Sequence, residues 1–187
     1  METVSYQDFG AALIDEVVTP ARIERAVADV AGDRVEVGPL WIGPGDAASV
    51  MAKGDIGAPG ATPATPEADG TRRFRVTIPV ELRLSVKVAG TMHRFEATVR
   101  VHLHLAVRTA AKPLSLVIDI TPPLPSEMDV DVRASGVVAR VLGRLGDVDG
   151  RIRREVVTFI HGRLDSPDAR AAVVINIGDT VESIWKS

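Results

Sequence analysis

Between residues 74 and 107 apolar and polar side chains alternate almost without interruption. Val76, Ile78, Val80, Leu82, Leu84, Val86 and Val88 fill every second place, with Thr77, Pro79, Glu81, Arg83, Ser85 and Lys87 between them. Phe95, Ala97, Val99, Val101, Leu103, Leu105 and Val107 repeat the pattern against Glu96, Thr98, Arg100, His102 and His104. A period of two sets each apolar series on one face of a strand. Gly90–Thr91 between the runs suits a two-residue type II′ turn, with glycine at the positive-φ position. That turn sets Val86 opposite Phe95, Leu82 opposite Val99 and Val80 opposite Val101. On the polar face it sets Glu81 opposite Arg100 and Lys87 opposite Arg94. Pro79 has no N–H to donate, which predicts a sheet edge or a bulge at that point.

The reach of this hairpin constrains the fold. Strands of roughly thirteen residues span about 40 Å at ~3.3 Å per residue. A compact chain of 187 residues has a diameter of only about 40 Å. The ribbon therefore crosses the whole molecule or bends around something.

The flanking sequence supplies candidates for what it bends around. Ser5 with Asp8 reads as a helix N-cap, and Phe9, Leu13 and Val17 give a helical stripe over residues 6–18. Thr19–Pro20 opens a second helix, with Ile23, Val27 and Val30 on one face and Gly32 as its stop. Residues 34–42 form a short strand. Residues 54–71 are mostly Gly, Pro, Ala, Thr and acids, with too little apolar surface to offset an ordering cost of about 1–2 kcal/mol per residue; a mobile surface loop is expected there. Leu114, Leu116, Ile118 and Ile120 mark a strand, and Met128, Val130 and Val132 another. The period then changes to 3.6: Val138, Val141, Leu142 and Leu145, then Val148, Ile152, Val156, Phe159 and Ile160, mark a long, broken amphipathic helix over residues 137–164. Residues 171–177 form a last strand, and Asp179 with Glu182 cap a short terminal helix ending at Trp185. The fold class expected is a single α+β domain over residues 1–187, its long, curved antiparallel sheet wrapped on the long C-terminal helix, with helices at the N-terminus.

Composition narrows the function classes. With 45% hydrophobic and 25% charged residues, the chain has the balance of a globular protein and not of a disordered one. A formal charge of −3 argues against a nucleic-acid partner. Without cysteine there is no disulfide, thiolate metal site or thiol nucleophile. The opening Met1-Glu2-Thr3, with acids close behind, lacks the basic start and apolar run of a secretory signal, and no run approaches the ~20 apolar residues of a membrane span. A cytoplasmic location is the expectation.

Candidate sites are few. His102 and His104 share a strand face and could grip a metal, but Glu96 is about 20 Å along the strand and the residues expected opposite, Pro79 and Thr77, are poor ligands. Asp129 with Asp131, and Asp147 with Asp149, lie in polar, turn-like surroundings where capping and solvation account for them. No G-x-S-x-G, G-x-x-x-x-G-K or G-x-G-x-x-G occurs, so neither an enzyme nor a cofactor is expected. The arginine-rich helix at 137–164 offers a face for peripheral contact with an anionic membrane surface.

The leading helix, Val35-Glu36-Val37-Gly38-Pro39, the long alternating strands of 75–107, the amphipathic helix at 137–164 and the strand Ala171-Ala172-Val173-Val174-Ile175 together resemble the tubular lipid-binding superfamily (TULIP-like). The resemblance rests on element order and strand length. It implies a curved sheet around a long helix, with acyl chains lying in the groove between them. Physically, such a groove has Val80, Leu82, Val99, Val101 and Leu103 as its floor and Ile152, Val156, Phe159 and Ile160 as its wall. An aliphatic lining, in a chain with only 4% aromatic residues, suits a flexible alkyl chain better than a planar ring. The expected function is non-enzymatic binding or transfer of an apolar, lipid-like ligand. The alternative is a protein-interaction module that forms a homodimer or larger assembly through an exposed strand edge. A metal-dependent enzyme on His102 and His104 comes third.

Overall fold

The computed structural model describes residues 3–42, 45, 48–65, 71–111, 114–133, 148–167, 169 and 174–177, the side chains of the last helix being described from Gly150 onward. Two helices lead, α1 (Tyr6–Val17) and α2 (Pro20–Ala31). Ser5 caps α1: its hydroxyl oxygen accepts from the Asp8 N–H at 3.1 Å and its O–H donates to the Asp8 carboxylate at 2.6 Å. Pro20 occupies the first turn of α2, and Gly32 ends it at φ +73°, a left-handed conformation that glycine adopts without penalty.

Among the described residues eight strands follow in one antiparallel, curled sheet: β1 (Arg34–Ile42), β2 (Ala48–Ile56), β3 (Gly60–Pro63), β4 (Arg72–Val88), β5 (Thr91–Ala111), β6 (Leu114–Thr121), β7 (Met128–Arg133) and β8 (Val174–Asn176). The order is β1-β2-β4-β5-β6-β8, with β3 on β4 beyond the end of β2 and β7 on β5 beyond the end of β6. A helix, α3 (Val148–Leu164), comes between β7 and β8. The fold is thus α+β, as expected. Of the long helix read over residues 137–164, the described part is α3; residues 137–147 lie outside the described residues, as do the expected terminal helix at 179–185 and positions 171–173 of the last strand.

Seventeen residues in β4 and 21 in β5 would span about 55 and 70 Å if straight. Each exceeds the ~40 Å diameter of the compact chain, so the ribbon curls. Its concave face carries the whole apolar series: Val76, Ile78, Val80, Leu82, Leu84 and Val86 on β4 and the odd-numbered residues from Phe95 to Val107 on β5 are all buried.

The register differs from the expected one. Val88 stands opposite Thr91, so the turn is centred on Ala89–Gly90, with φ +47° and +83°. Positive φ at both central residues is the type I′ pattern, whose twist matches the strands. Val86 therefore meets His93, Leu84 meets Phe95, Leu82 meets Ala97 and Val80 meets Val99, while Glu81 faces Thr98 and Pro79 faces Arg100. The shift is two residues, so no side chain changes face.

Pro79 also sits elsewhere than expected. β4 is a central strand, and its pairing with β5 runs through Pro79 without a bulge. The interruption falls on the other side, where β2 ends at Ile56 opposite Val80 and β3 begins at Gly60 opposite Thr77. The Gly57 N–H donates to the Pro79 carbonyl there at 2.8 Å, and no neighbour asks for the amide proton that proline lacks.

The segment 54–71 is a second correction. Gly54, Asp55 and Ile56 complete β2, and residues 60–63 form β3, its Ala61 N–H donating to the Glu24 carboxylate of α2 at 2.8 Å. Backbone pairing with β4 supplies order that the side chains alone do not; residues 66–70 lie outside the described set.

Among the described glycines, Gly54 is the most closely approached by its neighbours. A methyl group on its Cα would meet the Glu81 carbonyl oxygen and the Leu82 Cδ2, so β2 would have to draw away from β4. We expect Gly54→Ala to cost about 1–3 kcal/mol in chemical denaturation; unchanged stability would contradict this packing.

Candidate functional site

Two apolar spaces lie between the concave face of the sheet and the helices. The first, about 80 Å³, has Ile78 and Val80 of β4, Val101, Leu103 and Leu105 of β5, and Ile118 and Ile120 of β6 as its floor. Its roof is α2, through Ile23, Ala26, Val27 and Val30, and α3, through Val156, Phe159 and Ile160. Arg163 and Leu164 stand at its rim, and among the described residues Arg163 is the only charged one in its lining. The second space, about 260 Å³, lies beneath α1, between Leu13, Ile14 and Val17 and the residues Val107, Leu116, Ile175 and Ile177. Ile23, Ala26 and Ile118 line both, so the two spaces adjoin at these side chains.

Local sequence explains why the space exists. On α2 the apolar stripe includes alanine at positions 26 and 31, and short side chains leave volume that leucine would fill. The lining floor residues are β-branched or leucine, stiff and short. An engineered apolar cavity of about 150 Å³ stays dry and takes up benzene. The first space is smaller than that and the second larger. Together they reach the low end of the roughly 300–1,000 Å³ range of small-molecule pockets.

Of the nine groove residues expected from sequence, Val80, Val101, Leu103, Val156, Phe159 and Ile160 line the first space. Leu82, Val99 and Ile152 do not: they are buried in the core, at 2%, 0% and 5% exposure, and open on neither space. The contributions of α2, β6 and α1 were not foreseen. The i, i+3/i+4 run Ile23, Ala26, Val27, Val30 was the available signal, and it reads equally well as ordinary core.

One contact fixes the helix over the second space. The Arg72 Nε–H donates to the Asp15 carboxylate at 2.7 Å, joining α1 to β4. This hydrogen bond is the main reason the Asp15 carboxyl is held below the ordinary carboxylate value, with partial desolvation opposing it. A depressed folded-state pKa contributes stability above the unfolded value and loses it as pH falls through the folded one. Exchange protection of the α1 amides is therefore expected to drop below about pH 4 in the wild type. Asp15→Asn should show the weaker protection above and below that pH alike; equal protection in the two proteins above it would contradict the tether.

The histidine pair is accounted for on the convex face. His102 Nδ1 is 3.1 Å from the Thr77 hydroxyl and Nε2 is 3.2 Å from the Asp129 carboxylate. In the observed register Thr77 faces His102 and Arg75 faces His104, in place of Pro79 and Thr77. His104 lines a separate polar hollow with Arg73, Arg75 and Thr121. Among the described residues no group of three or more potential ligands is placed to hold a metal. Asp131 lies 3.8 Å from Arg133; Asp147 and the side chain of Asp149 lie outside the described residues. Among the described residues no helix is long and apolar enough to cross a membrane.

Among the described residues the architecture is thus a curled antiparallel sheet that encloses two adjoining aliphatic spaces with three helices. No family model matches the chain, and no curated protein matches it. Among solved structures, a lipopolysaccharide-binding protein is similar at a TM-score of 0.38 and 10% identity, over 79% of this chain and 36% of that one.

Proposed function

We propose that this chain binds an apolar, lipid-like molecule between sheet and helices and carries out no catalysis on it. The observation that carries the reading is the pair of adjoining aliphatic spaces, whose floor and roof come from six strands and the three helices among the described residues. Each methylene withdrawn from water gains about 0.8 kcal/mol. A chain of eight buried methylenes therefore gains about 6 kcal/mol before the cost of ordering it. The volume favours one alkyl chain over a lipid with several. Peripheral contact with a membrane surface, for loading or release, belongs to this reading.

Affinity should rise about fourfold per added methylene, which is that 0.8 kcal/mol expressed as a ratio, and level off once the space is full. Calorimetry with a series of n-alkanoates reads this slope. Native mass spectrometry of the purified protein is expected to show a monomer carrying one alkyl-chain ligand. A ligand-free dimer that also ignores the alkanoates would contradict the proposal and point to the assembly module instead.

A further inference from the structure

We infer that the ligand is a single-chain carboxylate amphiphile, its head held by Arg163 at the rim of the first space and its tail directed inward between α2 and α3. This rests on the apolar-ligand reading and goes further by naming the head group. Among the described residues the lining of the first space is otherwise without charge, so Arg163 is the group there that can orient a guest by its head. Its guanidinium carbon stands 5.4 Å from the centre of the Phe159 ring. That stacking steadies the side chain over a residue that itself lines the space, and leaves the N–H edge open for a partner. No carboxylate among the described residues forms an ion pair with it.

Among the described residues Arg22 is the cation lining the second space; one of its N–H groups donates to the Val17 carbonyl at 3.2 Å, which holds its guanidinium at the end of α1. The two cations therefore differ in what they can offer a ligand. Arg163 also lies beside the end of α2, where a methyl group on Gly32 would stand 3.6 Å from one of its terminal nitrogens, an ordinary contact. A planar guanidinium meets a carboxylate through two parallel N–H···O bonds. One guanidinium also balances the single charge of a carboxylate, whereas a phosphate monoester would leave charge unmatched.

The test compares dodecanoate, dodecanol and dodecyl phosphate on the full chain by calorimetry, in the wild type, Arg163→Gln and Arg163→Lys. Because the rim is solvent-exposed, the head contact is modest. Wild type is expected to prefer dodecanoate over dodecanol by about fivefold, the preference shrinking as salt is raised. Arg163→Gln should abolish the preference; Arg163→Lys should restore part of it, charge without the fork. Equal binding of acid and alcohol by the wild type, or a preference that survives in Arg163→Gln, would overturn the inference and leave the apolar-ligand reading standing. Tighter binding of dodecyl phosphate than of dodecanoate would overturn the choice of carboxylate. Binding of none of the three would overturn the groove reading itself, and this inference with it.

Discussion

Ala26→Leu is expected to weaken alkyl-chain binding about fiftyfold without lowering the melting temperature. Ala26 lines both apolar spaces from α2 and is only partly buried. Leucine adds three carbons to a side chain that lines both spaces, displacing about three methylenes of ligand. At ~0.8 kcal/mol each, that is about 2.4 kcal/mol, or roughly fiftyfold in affinity. The same carbons bury apolar area in the empty protein, so its stability should hold or rise. Two readouts moving in opposite directions separate a binding defect from a folding defect. A loss of stability with unchanged affinity would mean that the helix face is tight core and holds no guest.

The largest stability effect is expected at Leu84. Its side chain is 1% exposed, opposite Phe95 on β5 and Ala52 on β2, and it opens on neither space. Leu84→Ala should cost about 2–5 kcal/mol, through lost transfer energy and the cavity left behind. For a chain of this size each kcal/mol lowers Tm by about 2–4 °C, so a fall of roughly 10 °C is expected. Below that lowered transition the variant should bind alkanoates as the wild type does. A parallel loss of affinity would place Leu84 in contact with the guest and redraw the site.

Why some of this was legible in the sequence and some not has physical causes. The helices α1 and α2 announce themselves through Ser5, Thr19–Pro20 and Gly32, because unsatisfied backbone groups at helix ends demand such residues. The apolar faces of β4 and β5 are equally plain, since a period of two survives any even shift of register. The register itself was misread because Ala89 carries no sign of the left-handed conformation it adopts. Strand β2 was missed because the residues it buries, Ala48, Val50, Ala52 and Gly54, are small and raise little hydrophobic signal. Strand β3 was missed because its order comes from backbone pairing to β4 and from Glu24, neither of which depends on side-chain hydrophobicity.

The site shows the same division. Residues placed on the correct face of the ribbon followed from alternation, so Val80, Val101 and Leu103 could be named. Which stretch of a long apolar face is packed solid, as at Leu82 and Val99, and which faces a void depends on where the helices cross. That is set by tertiary contacts such as Arg72 with Asp15, between residues far apart in sequence. The small residues of α2 matter for the same reason: alanine at position 26 means little until the floor beneath it is known.

Paramagnetic broadening by a fatty acid bearing a nitroxide at its methyl end tests the central claim most directly. With methyl-labelled protein, the resonances of Ile23, Ile118 and Val156 should broaden saturably at one equivalent, while those of Leu84 and Val86 stay sharp. Broadening confined to exposed side chains such as Leu114 and Leu124, or none at all, would mean that nothing enters between the sheet and its helices.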